Sequence, residues 1–294
     1  MKKVVILGCG FVGVRAARLF SRAGWEVVGV TRSEESAAQL AGESFQVIAC
    51  DIADEASLSA REELQEAGVL ISAVSSGKGG VEKYREVYLK GLQNALGCLG
   101  PRRVLFVSST SVYAQTDGSL VTEESPAEPA SPTSRVLREA EDLALSVGGW
   151  VARLAGIYGP GRSVLLKKFL EKTAVIEDGG SRHINQIHAD DAASALAHLA
   201  IFKAPSGIYN VVDDEPLTQL ELYSFLARHF AEPPPPRGAA DPNRKRGLTD
   251  KRVSNAKLRA LKWLPWHRSF QEAVTLDAGL LQAARAGGSG DAPP

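Results

Sequence analysis

The sequence has little of what marks several protein classes. Cysteine occurs three times in 294 residues, as Cys9, Cys50 and Cys98. An odd number at wide spacing suggests neither a disulfide framework nor a zinc site, and all three are expected to be small buried apolar residues. Excess charge is absent: 34 basic side chains meet 34 acidic ones. A nucleic-acid or anionic-membrane partner would favour a basic surplus, so neither is expected. No stretch approaches the roughly 20 apolar residues of a membrane span. The run Val4 to Leu7 is too short for a secretory leader and ends in glycines rather than a cleavage site. No internal repeat is visible. What remains is a neutral cytoplasmic enzyme or small-molecule binder of undetermined oligomeric state.

Apolar residues make up 44% of the chain, and their arrangement is informative. Runs at Val4 to Leu7, Glu26 to Val30, Phe45 to Ala49, Val69 to Ala73, Arg103 to Ser108 and Trp150 to Leu154 alternate with segments of helical period. Most of these runs carry almost no polar residue, as expected of strands covered on both faces. The pattern predicts an α/β protein with a doubly wound parallel sheet. The clearest crossover helix spans Val81 to Leu99, with Tyr84 and Tyr88 packed against the sheet. After Gly156 the elements become short and mixed, which marks a small C-terminal substrate lobe. Residues 184–212 are expected to return to the sheet, leaving 157–183 and 213–286 to the lobe. Pro233 to Pro236 form a stiff connector, and 287–294 read as a disordered tail.

The strongest local signal is Gly8-Cys9-Gly10-Phe11-Val12-Gly13, directly after the first strand and opening a helix. Gly8 permits a tight turn, Gly10 lets backbone approach a pyrophosphate, and Gly13 allows close helix–strand contact. This predicts a Rossmann dinucleotide site, with phosphates at the helix N-terminus. An NAD-selective site would carry a carboxylate at the tip of the second strand, whereas this chain reads Thr31-Arg32-Ser33. A guanidinium flanked by hydroxyls suits a 2′-phosphate, so NADP is favoured over NAD; the alternative is a solvated loop cation at Arg32. Asp51, before Ile52, either reaches the adenine amino group or caps the helix that follows.

With Asp51-Ile52 and the tract Val107-Ser108-Ser109-Thr110-Ser111-Val112-Tyr113, the chain resembles the extended short-chain dehydrogenase/reductases, the NAD-dependent epimerase/dehydratase family. Further matches are Arg153 to Arg162, Ile184 to Asp191 and Tyr209 to Pro216. The resemblance implies a nicotinamide dinucleotide across the sheet and a substrate, often a nucleotide sugar, beneath the lobe. It places Ala73, Val74 and Ser108 beside the cofactor and Leu154, Ala155, Gly156 and Ile157 near the nicotinamide.

The family's catalytic Tyr and Lys, four residues apart on one helix, have no counterpart here. The helix reads Pro132-Thr133-Ser134-Arg135-Val136-Leu137-Arg138-Glu139-Ala140-Glu141, which puts Thr133 and Leu137, or Ser134 and Arg138, at the pair. Tyr88 stands where the family carries an Asn. Ser109 survives where the family places the Ser or Thr that bonds the reacting oxygen, but an unassisted serine is a poor base. These departures resemble an atypical, YeeZ-like branch. Tyr113 is a candidate phenol and His188 a candidate proton carrier; a polar turn and a structural histidine are their alternatives.

Tyr158, Arg162 and Asn185 are the expected substrate contacts, and His183 a loop residue near the cleft. Asp190 and Asp191 suit a helix first turn. Arg244-Lys245-Arg246, near Lys251 and Arg252, reads as a solvated loop or one touching substrate phosphate. Trp263 and Trp266 are expected to pack the lobe. The sequence thus supports an oxidoreductase or isomerase, with a non-enzymatic NADP-binding sensor as the alternative.

Overall fold

A computed structural model describes residues 2–77, 79–240 and 249–285. The expected strands all form: β1 (Lys3–Leu7), β2 (Glu26–Thr31), β3 (Gln46–Ala49), β4 (Val69–Ser72), β5 (Val104–Ser109) and β6 (Trp150–Leu154). The returning run adds β7 (Gly207–Val211), giving a parallel sheet in the order β7-β6-β5-β4-β1-β2-β3. The order reverses at β1 and β4, and in open parallel sheets such a crevice, at the carboxyl ends of the strands, is where ligands bind.

Successive strand residues face opposite sides, so each strand feeds two cores. Val4 and Ile6 join Ala16 and Phe20 of helix α1 (Gly13–Arg22) and the alanine-rich helix Ala189–Ile201. Val5 and Leu7 face the other way, toward Leu92, Ala95, Leu137 and Ala140. This is a Rossmann-like fold. The helix expected over Val81 to Leu99 is continuous, but it widens to a π-helix over Arg85–Lys90, where Tyr88 lies edge-on to Phe106 at 6.4 Å. Ser131 caps the next helix, Pro132–Ser146, and Pro132 fills its first turn, where no backbone donor is needed.

A third core collects Tyr158, Leu166, Phe169, Leu222, Tyr223 and Phe270 from the lobe. Trp263 does not join it. Its ring is buried in the sheet core and its Nε1 donates to Ser194 Oγ at 2.9 Å, while Trp266 is exposed. Between Tyr223 and Phe270 the chain leaves the lobe and returns to the sheet, and Trp263 belongs to that return. Cys9 and Cys50 are buried and Cys98 is half-buried. The basic run Arg244 to Arg246 and the tail 287–294 lie outside the described residues. Among the described residues, no helix is long and apolar enough to cross a membrane.

Candidate functional site

The crossing from β1 to α1 is built by two glycines. Gly8 adopts φ of +85°, and a Cβ there would lie 2.6 Å from Ala73 O and from Val74 Cα. Its N–H and that of Cys9 both donate to Val30 O, at 3.0 and 2.8 Å. A Cβ on Gly13 would meet Gly8 O at 2.1 Å. The loop is therefore pressed between β2 and the segment after β4, with Val12 buried and Gly10 and Phe11 partly exposed at the sheet's carboxyl edge. Arg15 was not anticipated. It lies over the Phe11 ring at 4.3 Å, donates to Phe11 O at 2.6 Å and pairs with Asp190 at 2.8 Å. Arg162 approaches the same ring at 5.4 Å.

At the tip of β2, only part of the expected trio is free to act. Thr31 is buried and donates to Ser33 O at 3.1 Å, and Ser33 caps the helix Glu34–Ala38 by accepting from Ser36 N. Local turn formation has claimed both hydroxyls, so Thr31 is corrected to a structural role, while Arg32 is exposed. The Asp51 carboxylate is exposed and accepts from Ala53 N at 3.0 Å; Asp54, not Asp51, caps the following helix. Ile52 is buried.

Ser109 ends β5, half-buried, and its Oγ accepts from Ser111 N at 3.1 Å. Ser111 Oγ accepts from Ser134 Oγ at 3.0 Å, so serines dock the first turn of helix Pro132–Ser146 on this turn. Leu137 is buried in the core. Ser108, expected beside the cofactor, instead donates its hydroxyl to Glu141 Oε1 at 2.5 Å, because alternation turns it to the helix side. Tyr113 is corrected as well. Its ring is fully buried beneath the Arg153 guanidinium at 4.7 Å, its OH donates to Asn210 Oδ1 at 2.8 Å, and burial pushes its pKa up. A phenol so held neutral has no path to a cleft substrate.

Past β6, Leu154 and Ala155 are buried, whereas Gly156 is exposed and Ile157 partly so. Ala155 N donates to Val211 O, and Gly156 N to Asn185 O. The next residues pair as a ribbon, Gly156–Tyr158 beside Gln186–His188. Tyr158 and Asn185 are not poised for substrate. Tyr158 is buried against Phe270 and His188, and the Asn185 side chain holds Lys251 O at 2.9 Å and Val253 N at 2.7 Å. His183 lies not in a loop but in a short strand, paired with Thr218 and bonded to Asp250.

His188 is fully buried. Its Nδ1 accepts from Asp190 N at 3.3 Å, capping helix Ala189–Ile201, and its Nε2 lies 3.2 Å from Asp277. The His267 ring lies 4.0 Å away, tilted by 40°, and its Nδ1 bonds Asp191 at 3.0 Å. Donor atoms of His188, His267 and Asp277 converge within 4.8 Å. Accepting a backbone proton at Nδ1 leaves Nε2 of the neutral ring protonated, directed at Asp277 and without the lone pair a metal requires. His188 is therefore corrected from proton carrier to helix cap.

Sequence reading missed Glu141 as a buried counter-ion, Lys251 as a buried amine, and His267 and Asp277 as partners of His188. Each has at least one partner well separated in the chain, Ser108 for Glu141, Tyr113 for Lys251 and His188 for Asp277. For Glu141, the signal was an acid on the buried stripe of an amphipathic helix.

The family model for the NAD dependent epimerase/dehydratase family matches residues 4–211. The chain belongs to this family. It is 32% identical to Protein YeeZ of Escherichia coli K12 over 269 residues, 87% of this chain and 94% of that protein. A solved structure from Methylobacillus flagellatus, assigned to the NAD-dependent epimerase/dehydratases, is 28% identical with a TM-score of 0.77, covering 97% of this chain and 99% of that one. The UDP-glucuronic acid 4-epimerase of Bacillus cereus, solved with UDP-glucuronic acid and NAD, shares the fold. It has a TM-score of 0.76 at 19% identity, covering 96% of this chain and 98% of that one. The glycine loop lies at the carboxyl ends of β1 and β4, where the strand order reverses.

Proposed function

We propose that this chain is an NADP-binding oxidoreductase or isomerase that acts on a small, nucleotide-sugar-like substrate without the family's Tyr/Lys pair. One observation carries the reading: the Gly8–Gly13 crossing and the Ser109 turn open at the same sheet edge, two strands apart. A nicotinamide supplies hydride transfer when bound. Gly8, Gly10, Phe11, Val12 and Gly13 would hold its pyrophosphate, Arg32 its 2′-phosphate, Asp51 and Ile52 its adenine side, and Ala73, Val74 and Leu154 to Ile157 its nicotinamide side.

In this reading, residues 1–156 and 184–212 bind the dinucleotide, and the lobe drawn from 157–183 and 213–286, without the return to the sheet at Trp263, covers the substrate. Ser109 spends an acceptor lone pair on Ser111 N and keeps its hydroxyl proton. It can donate that proton to a substrate oxygen but lacks a base to remove a proton. Arg162, beside Phe11, is the candidate for substrate phosphate. Thr133 and Leu137, or Ser134 and Arg138, in place of a phenol and an amine favour a second reading, a non-enzymatic protein that binds NADP as a sensor or partner-binding module without turnover.

The test is hydride exchange between NADPH and a panel of nucleotide-sugar and carbonyl compounds, with Ser109→Ala alongside the unaltered chain. Exchange that falls at least tenfold in the variant supports the enzyme. NADPH binding with no exchange across the panel supports the sensor, and failure to bind either dinucleotide overturns both.

A further inference from the structure

Lys251 is a buried amine that forms no ion pair among the described residues. It is 4% exposed. Its Nζ donates to Tyr113 O at 3.1 Å and to Thr249 Oγ1 at 2.6 Å, two neutral acceptors. The neighbouring Asp250 carboxylate is turned to His183, accepting from its N at 2.9 Å and meeting its Nδ1 at 2.8 Å. Among the described residues no ion pair reaches Lys251. An ammonium has three donors, and two are used. Burying a cation without a counter-ion is costly, so proteins normally pair it or lower its pKa. Burial pushes this amine down to about 8, with Asp250 opposing.

Its position gives the unpaired donor meaning. Tyr113 closes the turn that starts at Ser109, at the carboxyl end of β5. Asn185, which fixes the main chain of residues 251 and 253, precedes the ribbon strand Gln186–His188 that pairs beyond β6. Lys251 therefore ties the turn that starts at Ser109, whose hydroxyl was proposed above to meet a substrate oxygen, to the segment that leads into the ribbon.

We infer that Lys251 is a specificity-determining residue that binds an anionic oxygen of the substrate, a carboxylate or phosphoryl group, through its third N–H and its uncompensated charge. This rests on the Ser109 turn being part of the substrate site. It narrows the substrate class to molecules with an acidic group near the reacting carbon.

Wild type and Lys251→Met, each with saturating NADP⁺, are melted in glucuronate, in inorganic phosphate and in chloride of equal ionic strength. The probes should raise the wild-type melting temperature by at least two degrees more than that of the variant, and Lys251→Arg should keep part of the gain. A gain with glucuronate alone identifies a carboxylate site, and one with phosphate alone a phosphoryl site. Equal gains in wild type and Lys251→Met overturn the inference. If the Met variant does not fold, wild type in glucuronate decides: the gain must shrink between pH 7 and 9.5 as the amine loses its proton, and an unchanged gain refutes the role. NADP⁺ binding, followed separately, shows whether the dinucleotide reading fails on its own.

Discussion

Glu141 and Arg153 form a fully buried bidentate ion pair, with Arg153 Nε at 3.0 Å from Oε1 and Nη2 at 2.6 Å from Oε2. Ser108 and Arg138 also donate to the same carboxylate. The pair fastens helix Pro132–Ser146 to β6 directly under the Ser109 turn. Removing one partner strands a buried charge, so Glu141→Leu should cost about 3–5 kcal/mol. The double variant Glu141→Leu/Arg153→Met should cost less than either single change. Urea unfolding near neutral pH measures this; a single-variant loss under about 1 kcal/mol would contradict it.

Gly13→Ala places a methyl 2.1 Å from Gly8 O, a backbone atom that cannot yield without moving the loop. We expect a stability loss of about 1–3 kcal/mol and at least a tenfold loss of NADPH affinity. Gly42→Ala, with open space around the new methyl, is the control and should change neither. Melting and NADPH fluorescence titration report both quantities. Wild-type affinity in Gly13→Ala would remove the loop from the dinucleotide site.

Arg32→Asp should weaken NADPH much more than NADH. A charge-assisted hydrogen bond contributes about 1.5–3 kcal/mol, which converts to roughly tenfold or more in the ratio of the two dissociation constants. Equal losses for both dinucleotides would leave Arg32 as a solvated cation.

The pKa values of the neighbouring His188 and His267 are shifted in opposite senses. The hydrogen bond to Asp191 raises the pKa of His267 above 6.5, with burial opposing. Its contribution to stability is therefore complete below pH 6.5 and lost as pH rises through the raised value. Burial, followed by the charge on His267, lowers the pKa of His188 below 6.5. Its contribution is present above pH 6.5 and lost as pH falls through the lowered value. Urea midpoints should show His267→Gln costing more at pH 6 than at pH 8.5, and His188→Gln costing more at pH 8.5 than at pH 5. The reverse order for either variant would refute its assignment.

What could be read in advance was whatever repeats locally. The strand run Val4 to Leu7 and the loop Gly8 to Gly13 state their own geometry, because burial on both faces and positive φ are demands on neighbouring residues. Buried polar chemistry is different. Glu141 finds Ser108 33 residues away, and Lys251 finds Tyr113 138 residues away. Nothing in either residue's own neighbourhood announces the partner. Ser108 and Tyr113 were misread for the same reason: the motif fixed their positions in the chain, while alternation along β5 and the packing of the turn decided where they point.

The Val253 amide bonds differently from its neighbours. Its flanking residues bond to the strand at Leu120–Val121, Arg252 N to Ser119 O and Ser254 N to Val121 O, whereas Val253 N reaches out to the Asn185 side chain. Together with the bond from Asn185 Nδ2 to Lys251 O, this contact joins residues 251–253 to the segment before the ribbon, parts of the chain that approach each other only through the tertiary fold. Its proton becomes a local gauge of breathing: hydrogen exchange at Val253 measures how often these two segments part, free of the sheet's own protection.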